Sequence, residues 1–151
     1  MEIRRVGLRH GLVEPLLAGL AQEYAQRYGS NISAAEMAAA QPEQFDPPCG
    51  AFVVLVDHGT TVAGGGIRPR SGGACEIKRM WTAVGHRRRG HASAVLVALE
   101  EAARDLGYTA IKAVTGPAQP EACALYVSSG YRRVAPEASF EGAIGFERDL
   151  A

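Results

Sequence analysis

No run of about 18 uncharged apolar residues occurs anywhere in the chain, so no membrane-spanning helix is expected. The opening residues, MEIRRVGLRH, lack an apolar core followed by a small-residue cleavage site, and no secretory leader is expected either. Cysteine is scarce. Cys49, Cys75 and Cys123 stand far apart and suit neither a zinc pattern nor an even disulfide framework, so they read as reduced thiols of a cytoplasmic chain. Net charge is missing as well: 16 Lys+Arg cancel 16 Asp+Glu, and no long-range field collects polyanions. A dedicated nucleic-acid binder would be more basic.

What remains is an ordinary globular composition, 47% hydrophobic and 21% charged, too apolar for intrinsic disorder. A chain of 151 residues buries about two-thirds of its unfolded surface, so one domain over residues 1–151 is expected. Residues 2–9 read as a first strand. Val13, Leu16, Leu17, Leu20, Ala21 and Tyr24 then recur on one helical face. A second, Ala-rich helix is expected from Ser33 to Ala40, where Ser33 and Glu36 have capping-box spacing. The prolines of PEQFDPPCG make a loop. Ala51–Val56 and Thr61–Ile67 form a hairpin turning at Asp57-His58-Gly59, and Gly64 to Gly66 call for a bulge or a close backbone approach.

A strand follows through CEIKRMWT, on which regular alternation would place Glu76, Lys78, Met80 and Thr82 on one face. From Ala92 the set Val95, Leu96, Leu99, Ala103 and Leu106 marks a helix that Gly107 ends. YTAIKAVT, QPEACALYVSS, YRRVA and AIGFERDL then read as strand, helix, strand and strand. The order is mixed α and β without repeats, and helical crossovers make some strands parallel.

The stretch GHRRRGHA, Gly85 to Ala92, lies between a strand and the start of that helix. A helix N-terminus presents backbone N–H groups without intrahelical partners and a positive dipole end, and so favours anions. Gly90 gives the backbone freedom of conformation there, Ala92 keeps the next amide accessible, and arginines add forked donors. The spacing is neither that of a mononucleotide P-loop nor that of the dinucleotide fingerprint. Taken by itself, the arginine run is also compatible with a solvated turn.

CEIKRMWTAVGHRRRGHASAVLVALEEAARDLGY resembles the central motif of the GCN5-related N-acetyltransferase (GNAT) superfamily, with its loop pattern Arg/Gln-x-x-Gly-x-Gly/Ala. Arg87, Gly90 and Ala92 fill the three specified positions, and ACALYVSSGYRRV is similar to the superfamily's A-x-x-LY-x-x-x-GF/GY segment. With the hairpin PPCGAFVV…GGGIRP, the resemblance covers residues 47 to 150. It departs where Arg88 stands for a common Gly, Ala92 for Gly and Val84 for Pro. The resemblance implies an α/β (α+β) fold with a mixed sheet of about six to seven strands, flanked by about four helices, and a splayed strand pair at an acetyl-CoA cleft.

It further implies acetyl transfer from acetyl-CoA to an amine in a ternary complex, with no metal. The backbone amides of Arg87, Arg88, Arg89, Gly90, His91 and Ala92 would hold the pyrophosphate. Met80, Trp81 and Thr82 would pair with the pantetheine arm, and Gln119 and Tyr126 complete the cofactor contacts. The acceptor amine, with a pKa near the lysine value of about 10.4, must lose a proton before it attacks. Glu76 occupies the position of a general base in some relatives, while the alternative is a strand residue paired with an arginine. Tyr126 matches the tyrosine that protonates the departing thiolate, while the alternative is a core aromatic.

Cys123 has no histidine nearby to activate it, and His86 and His91 have no partners at metal-ligand spacing. His10 and His58 read as surface loop residues, and Trp81 as core or a cleft wall. The resemblance implies an acceptor that is a primary amine of a small molecule or peptide. Residues 28–48 and 135–143, with Tyr28 and Phe140, would shape its pocket or pack in the core. Neither nucleic acid nor membrane is an expected partner, and dimerisation is common among relatives. Two other functions compete: an acyl-CoA sensor without turnover, and a nucleic-acid surface of Arg87 to Arg89 with Arg4, Arg5, Arg132 and Arg133.

Overall fold

The computed structural model describes residues 1–29, 42–136 and 141–150. Seven strands form one sheet: β1 (Glu2–Val6), β2 (Ala51–Asp57), β3 (Thr60–Pro69), β4 (Ala74–Thr82), β5 (Ala110–Thr115), β6 (Arg132–Val134) and β7 (Ile144–Asp149). Their order across the sheet is β1-β2-β3-β4-β5-β7-β6. All neighbours are antiparallel except β4 and β5, which the crossover through a helix makes parallel. Among the described residues the helices are α1 (Glu14–Tyr28), α2 (His91–Asp105) and α3 (Pro120–Ser128). The helix expected from Ser33 to Ala40 lies outside the described residues.

The sheet is buried on both faces, which is why β2 reads as a continuous apolar run rather than an alternating one. Ala51, Val53 and Leu55 enter the core beneath α2, with Val95, Leu96 and Leu99. Phe52 and Val54 enter the core beneath α1, with Leu16 and Leu20. The apolar periodicities read from the sequence are thus the buried faces of two helices on opposite sides of one sheet. β1 is shorter than expected, ending at Val6 before the loop that leads into α1, and its charged, exposed residues suit a sheet edge.

The β2–β3 hairpin closes through His58 and Gly59, both at positive φ (51° and 77°), as a two-residue turn matched to strand twist requires. The glycine triplet serves both purposes the sequence suggested. A Cβ on Gly66 would lie 2.5 Å from Phe52 Cδ2 and 2.7 Å from Phe45 Cδ1, and one on Gly64 would lie 2.7 Å from the Val53 carbonyl oxygen. Gly65 stands opposite a bulge. The β3–β4 register pairs Gly66 with Lys78 but Gly64 with Trp81, so Arg79 and Met80 share a single partner. Arg79 accordingly takes φ +65°.

The bulge corrects the expected regularity of β4. Cys75 and Ile77 face α2 before it, and after it Met80 faces α2 while Trp81 turns toward α1. Glu76 and Met80 therefore do not share a face, because an inserted residue reverses the alternation.

Phe45 and Phe52 are fully buried and pack edge to face at 5.8 Å, so neither ring can yield to a new methyl group. Gly66→Ala should lower unfolding free energy by about 1–3 kcal/mol through overpacking, read as a reduced urea midpoint at unchanged slope.

Candidate functional site

The parallel ladder between β4 and β5 runs only from Ala74↔Ala110 to Ile77↔Ala113. Beyond it β4 continues to Thr82 and β5 to Thr115 without pairing to each other. An opening results between two strands of one sheet, and along it the β4 backbone has no β5 partner. Met80, Trp81 and Thr82 lie on its β4 side, as the sequence reading expected.

At the wide end of the opening, Val84–His86 make a 3-10 turn and Arg87 is extended (φ −74°, ψ 160°). Arg88 has φ +62° and Gly90 φ +80°, ψ 9°. Gly90 is the N-cap of α2, no side chain caps that end, and the first intrahelical bond runs from Ala94 N to Gly90 O at 3.1 Å. The amides of His91, Ala92 and Ser93 thus belong to the uncapped first turn. A Cβ on Gly90 would meet nothing within 4 Å, so the glycine is required by its dihedral and not by packing. An uncapped, open helix start of this kind fits a pyrophosphate.

The three arginines are not equivalent. All three are exposed, but they are used differently. Arg87 turns back, donating from Nε to the Thr82 carbonyl at 3.0 Å and from Nη2 to Glu23 Oε2 at 2.9 Å. It anchors the loop to the end of β4 and to α1. The other arginines of the nucleic-acid alternative are also matched locally: Arg5 by Asp105 at 2.8 Å, Arg4 by Glu2 at 3.6 Å and Arg132 by Glu147 at 2.5 Å. Arg133 lies over the Phe146 ring at 5.8 Å.

Glu76 is buried at the last step but one before the opening. Arg68, its cross-strand partner on β3, contacts Oε1 twice, with Nε at 2.9 Å and Nη2 at 2.8 Å. Among the described residues, no hydrogen bond falls on Glu76 Oε2. With Lys112 of β5, Glu76 also lines a shallow cleft whose other wall is Val134 to Pro136 and Gly145.

Tyr126, on α3, is buried with its ring 5.3 Å from that of Tyr131 and 5.4 Å from that of Phe146. Burial holds its phenol well above the usual range, and Tyr24, Cys123 and Glu76 add in the same direction. Tyr126 belongs to the core that packs beneath α2, so the core-aromatic alternative describes its packing. Tyr131 in turn donates to buried Glu100 of α2 at 2.7 Å, and Arg148 donates to the same carboxylate at 2.9 Å. Gln119 Oε1 accepts from Gly116 N and from Tyr28 Oη, both at 3.3 Å, which ties the β5–α3 loop to α1. Tyr28 is thereby committed to this tie, and Phe140 lies outside the described residues.

Cys123 Sγ is 3.3 Å from Thr115 Oγ1, and all three cysteines are free. Burial pushes the Cys75 thiol up to about 12, which makes it unreactive. His86 and His91 have ring centroids 6.3 Å apart, and no group of three metal-ligating side chains occurs among the described residues. His10 accepts from Leu12 N at 3.1 Å and caps a 3-10 turn, while His58 is exposed. No helix among the described residues is long and apolar enough to cross a membrane.

Sequence reasoning missed two residues in the second half of α1, Glu23 and Arg27, which contact the segments after β4 and after β5; their i,i+4 spacing is the one local signal. It also missed Arg79, whose strained backbone forms the bulge.

Residues 17–131 match the family described as acetyltransferase (GNAT) family. No curated protein matches the chain. Among solved structures, the chain is similar to a Klebsiella pneumoniae protein assigned as an acyl-CoA N-acyltransferase, at 22% identity and TM-score 0.79, over 99% of this chain and 97% of that one. It is also similar to an aminoglycoside 6′-N-acetyltransferase complexed with coenzyme A, at 18% identity and TM-score 0.76, covering 100% and 98%. A third is the PaiA N-acetyltransferase of Thermoplasma acidophilum in complex with coenzyme A, at 12% identity and TM-score 0.74, covering 99% of each chain. At these identities the likeness establishes the fold.

The loop makes opposite demands at its two left-handed positions. Gly90→Val should raise the dissociation constant for CoA at least tenfold in titration calorimetry, since a β-branched residue there costs about 1–2 kcal/mol and reshapes the loop. Arg88→Gly should leave stability nearly unchanged. Relief of about 1 kcal/mol of left-handed strain offsets the 0.5–1 kcal/mol or so of chain entropy that glycine adds.

Proposed function

The chain belongs to the acetyltransferase (GNAT) family, and we propose that it is an acetyl-CoA-dependent N-acetyltransferase, one catalytic domain over residues 1–151. Its acceptor is a primary amine of a small molecule or peptide, which attacks the thioester directly while both substrates are bound. The observation that carries this reading is the opening between β4 and β5, which leads to an uncapped helix start of left-handed backbone at Gly90.

Bound acetyl-CoA supplies an activated acyl group. The amides of Arg87 to Ala92, with the dipole of α2, hold its pyrophosphate, and exposed Arg88 and Arg89 add charge. The unpaired backbone edge of Met80, Trp81 and Thr82 hydrogen-bonds the pantetheine arm, as a sheet edge accepts any extended chain. Gln119, at the start of α3, keeps the β5 side of the opening in place. Much of the rate then comes from holding amine and thioester together.

Glu76 accepts the amine proton through a water on Oε2, while Arg68 fixes the carboxylate through Oε1. Tyr126 donates a hydrogen bond to the departing thiolate and stabilises its charge; a thiol, with an ordinary pKa of about 8.5, is a stronger acid than this phenol, so no full proton transfer is required. A phenol raised by burial is a weaker acid, yet it stays fully protonated across the working range. That is the state a donor needs at the moment the thiolate leaves.

Thiol release from acetyl-CoA over a panel of primary amines tests the reading. Acceptor-dependent release is expected, and tight CoA binding without release by any amine would point instead to a sensor. Tyr126→Phe should lower kcat by about 10²-fold or more, with a smaller change in the KM for acetyl-CoA. The wild-type rate should rise with pH as the acceptor deprotonates and show no descending limb from Tyr126 below about pH 10.

A further inference from the structure

We infer that Glu23 is a positioning residue for the acyl-CoA site: its carboxylate takes Arg87 from the loop after β4 and Arg27 from its own helix, and through Arg27 it straps the pyrophosphate loop to the start of α3. The inference rests on the acyl-CoA reading of that loop.

The strap is visible bond by bond. Glu23 Oε2 accepts from Arg87 Nη2 at 2.9 Å, and Arg87 Nε donates to the carbonyl of Thr82, the last residue of β4. Glu23 Oε1 pairs with Arg27 Nη2 at 3.1 Å. Arg27 Nη1 donates to the Ala118 carbonyl at 2.8 Å and forms an ion pair with Glu121, both just beyond β5. One turn of α1 thus joins the segment after β4 to the segment after β5, where the two strands themselves no longer pair. The Tyr28–Gln119–Gly116 bonds lie alongside and fasten the same β5–α3 loop.

Glu23 and Arg27 side chains are only 20% and 23% exposed, so solvent screens this pairing less than an ordinary surface bridge. Two opposite effects of Glu23 on an anionic ligand compete. Its negative charge disfavours a nearby pyrophosphate, whereas its grip on Arg87 keeps a loop of exposed, left-handed residues in its binding shape. The charge is matched twice, by Arg87 and by Arg27, so its field at the ligand is largely cancelled and the ordering effect prevails. Without Glu23, Arg27 keeps Glu121 and the Ala118 carbonyl, whereas Arg87 keeps only the Thr82 carbonyl among the described residues.

CoA titration of wild type, Glu23→Gln, Arg87→Gln and the double variant tests this. Glu23→Gln should raise the CoA dissociation constant roughly fivefold, the size expected of a coupled pair. The KM for acetyl-CoA should rise by a larger factor than kcat falls. In the Arg87→Gln background the Glu23 substitution should add almost nothing. Unchanged or tighter CoA binding by Glu23→Gln, or full additivity with Arg87→Gln, overturns the inference alone. Failure of the wild type to bind CoA overturns the acyl-CoA reading, and the inference with it. If Glu23→Gln does not fold, Glu23→Asp, which keeps the charge but shortens the reach, should show the same weakened binding, and equal affinity to wild type overturns the strap.

Discussion

A strand that parts from its neighbour leaves backbone donors and acceptors along one edge, and each must find another partner if it is to be shut away from water. β4 meets this constraint beyond Ile77, where its ladder to β5 stops while its antiparallel pairing to β3 continues to Thr82. The bulge at Arg79 bends the strand within that stretch, and the absence of a side chain on Gly65 leaves room opposite it for Met80. Around this edge stand an uncapped helix start at Gly90 and the second half of α1, whose Glu23 contacts Arg87. An extended ligand with amide groups and a terminal anion is the complement of such an edge.

Packing explains why the opening persists. Two cores, one beneath each helix layer, hold the sheet on both faces, so the gap is not closed by collapse from either side. Polar contacts finish the work where apolar contacts end. Glu100 holds Tyr131 and Arg148 and thereby ties α2 to β7 beneath Tyr126, while Arg68 holds Glu76 on the neighbouring strand. Equal numbers of basic and acidic residues make the chain neutral, and many of its arginines are spent in such pairs. Only Arg88 and Arg89 of the loop point away from this network of contacts.

Much of this was legible in the sequence. The stripes Leu16–Leu20 and Val95–Leu99 are burial patterns with helical period, and they marked both helix layers. GHRRRGHA was legible through position as a helix start, because Gly90 precedes a strongly amphipathic helix after a strand. The glycine triplet announced a bulge without saying where its extra residue would fall. That residue is Arg79, and an arginine at φ +65° carries no local sign of its conformation. Glu23 and Arg87 lie 64 positions apart and meet only through the tertiary fold, so no periodicity exposes them. The partner of Glu76 was foreseen as a type, an arginine, but its identity follows from the β3–β4 register alone.

Backbone amide hydrogen exchange, with and without saturating CoA, tests the central claim most directly. The unpaired edge of β4 and the uncapped start of α2 should both gain partners, so protection should rise at Met80 to Thr82 and at Arg87 to Ala92. Exchange unchanged at both segments while CoA is bound would contradict the account.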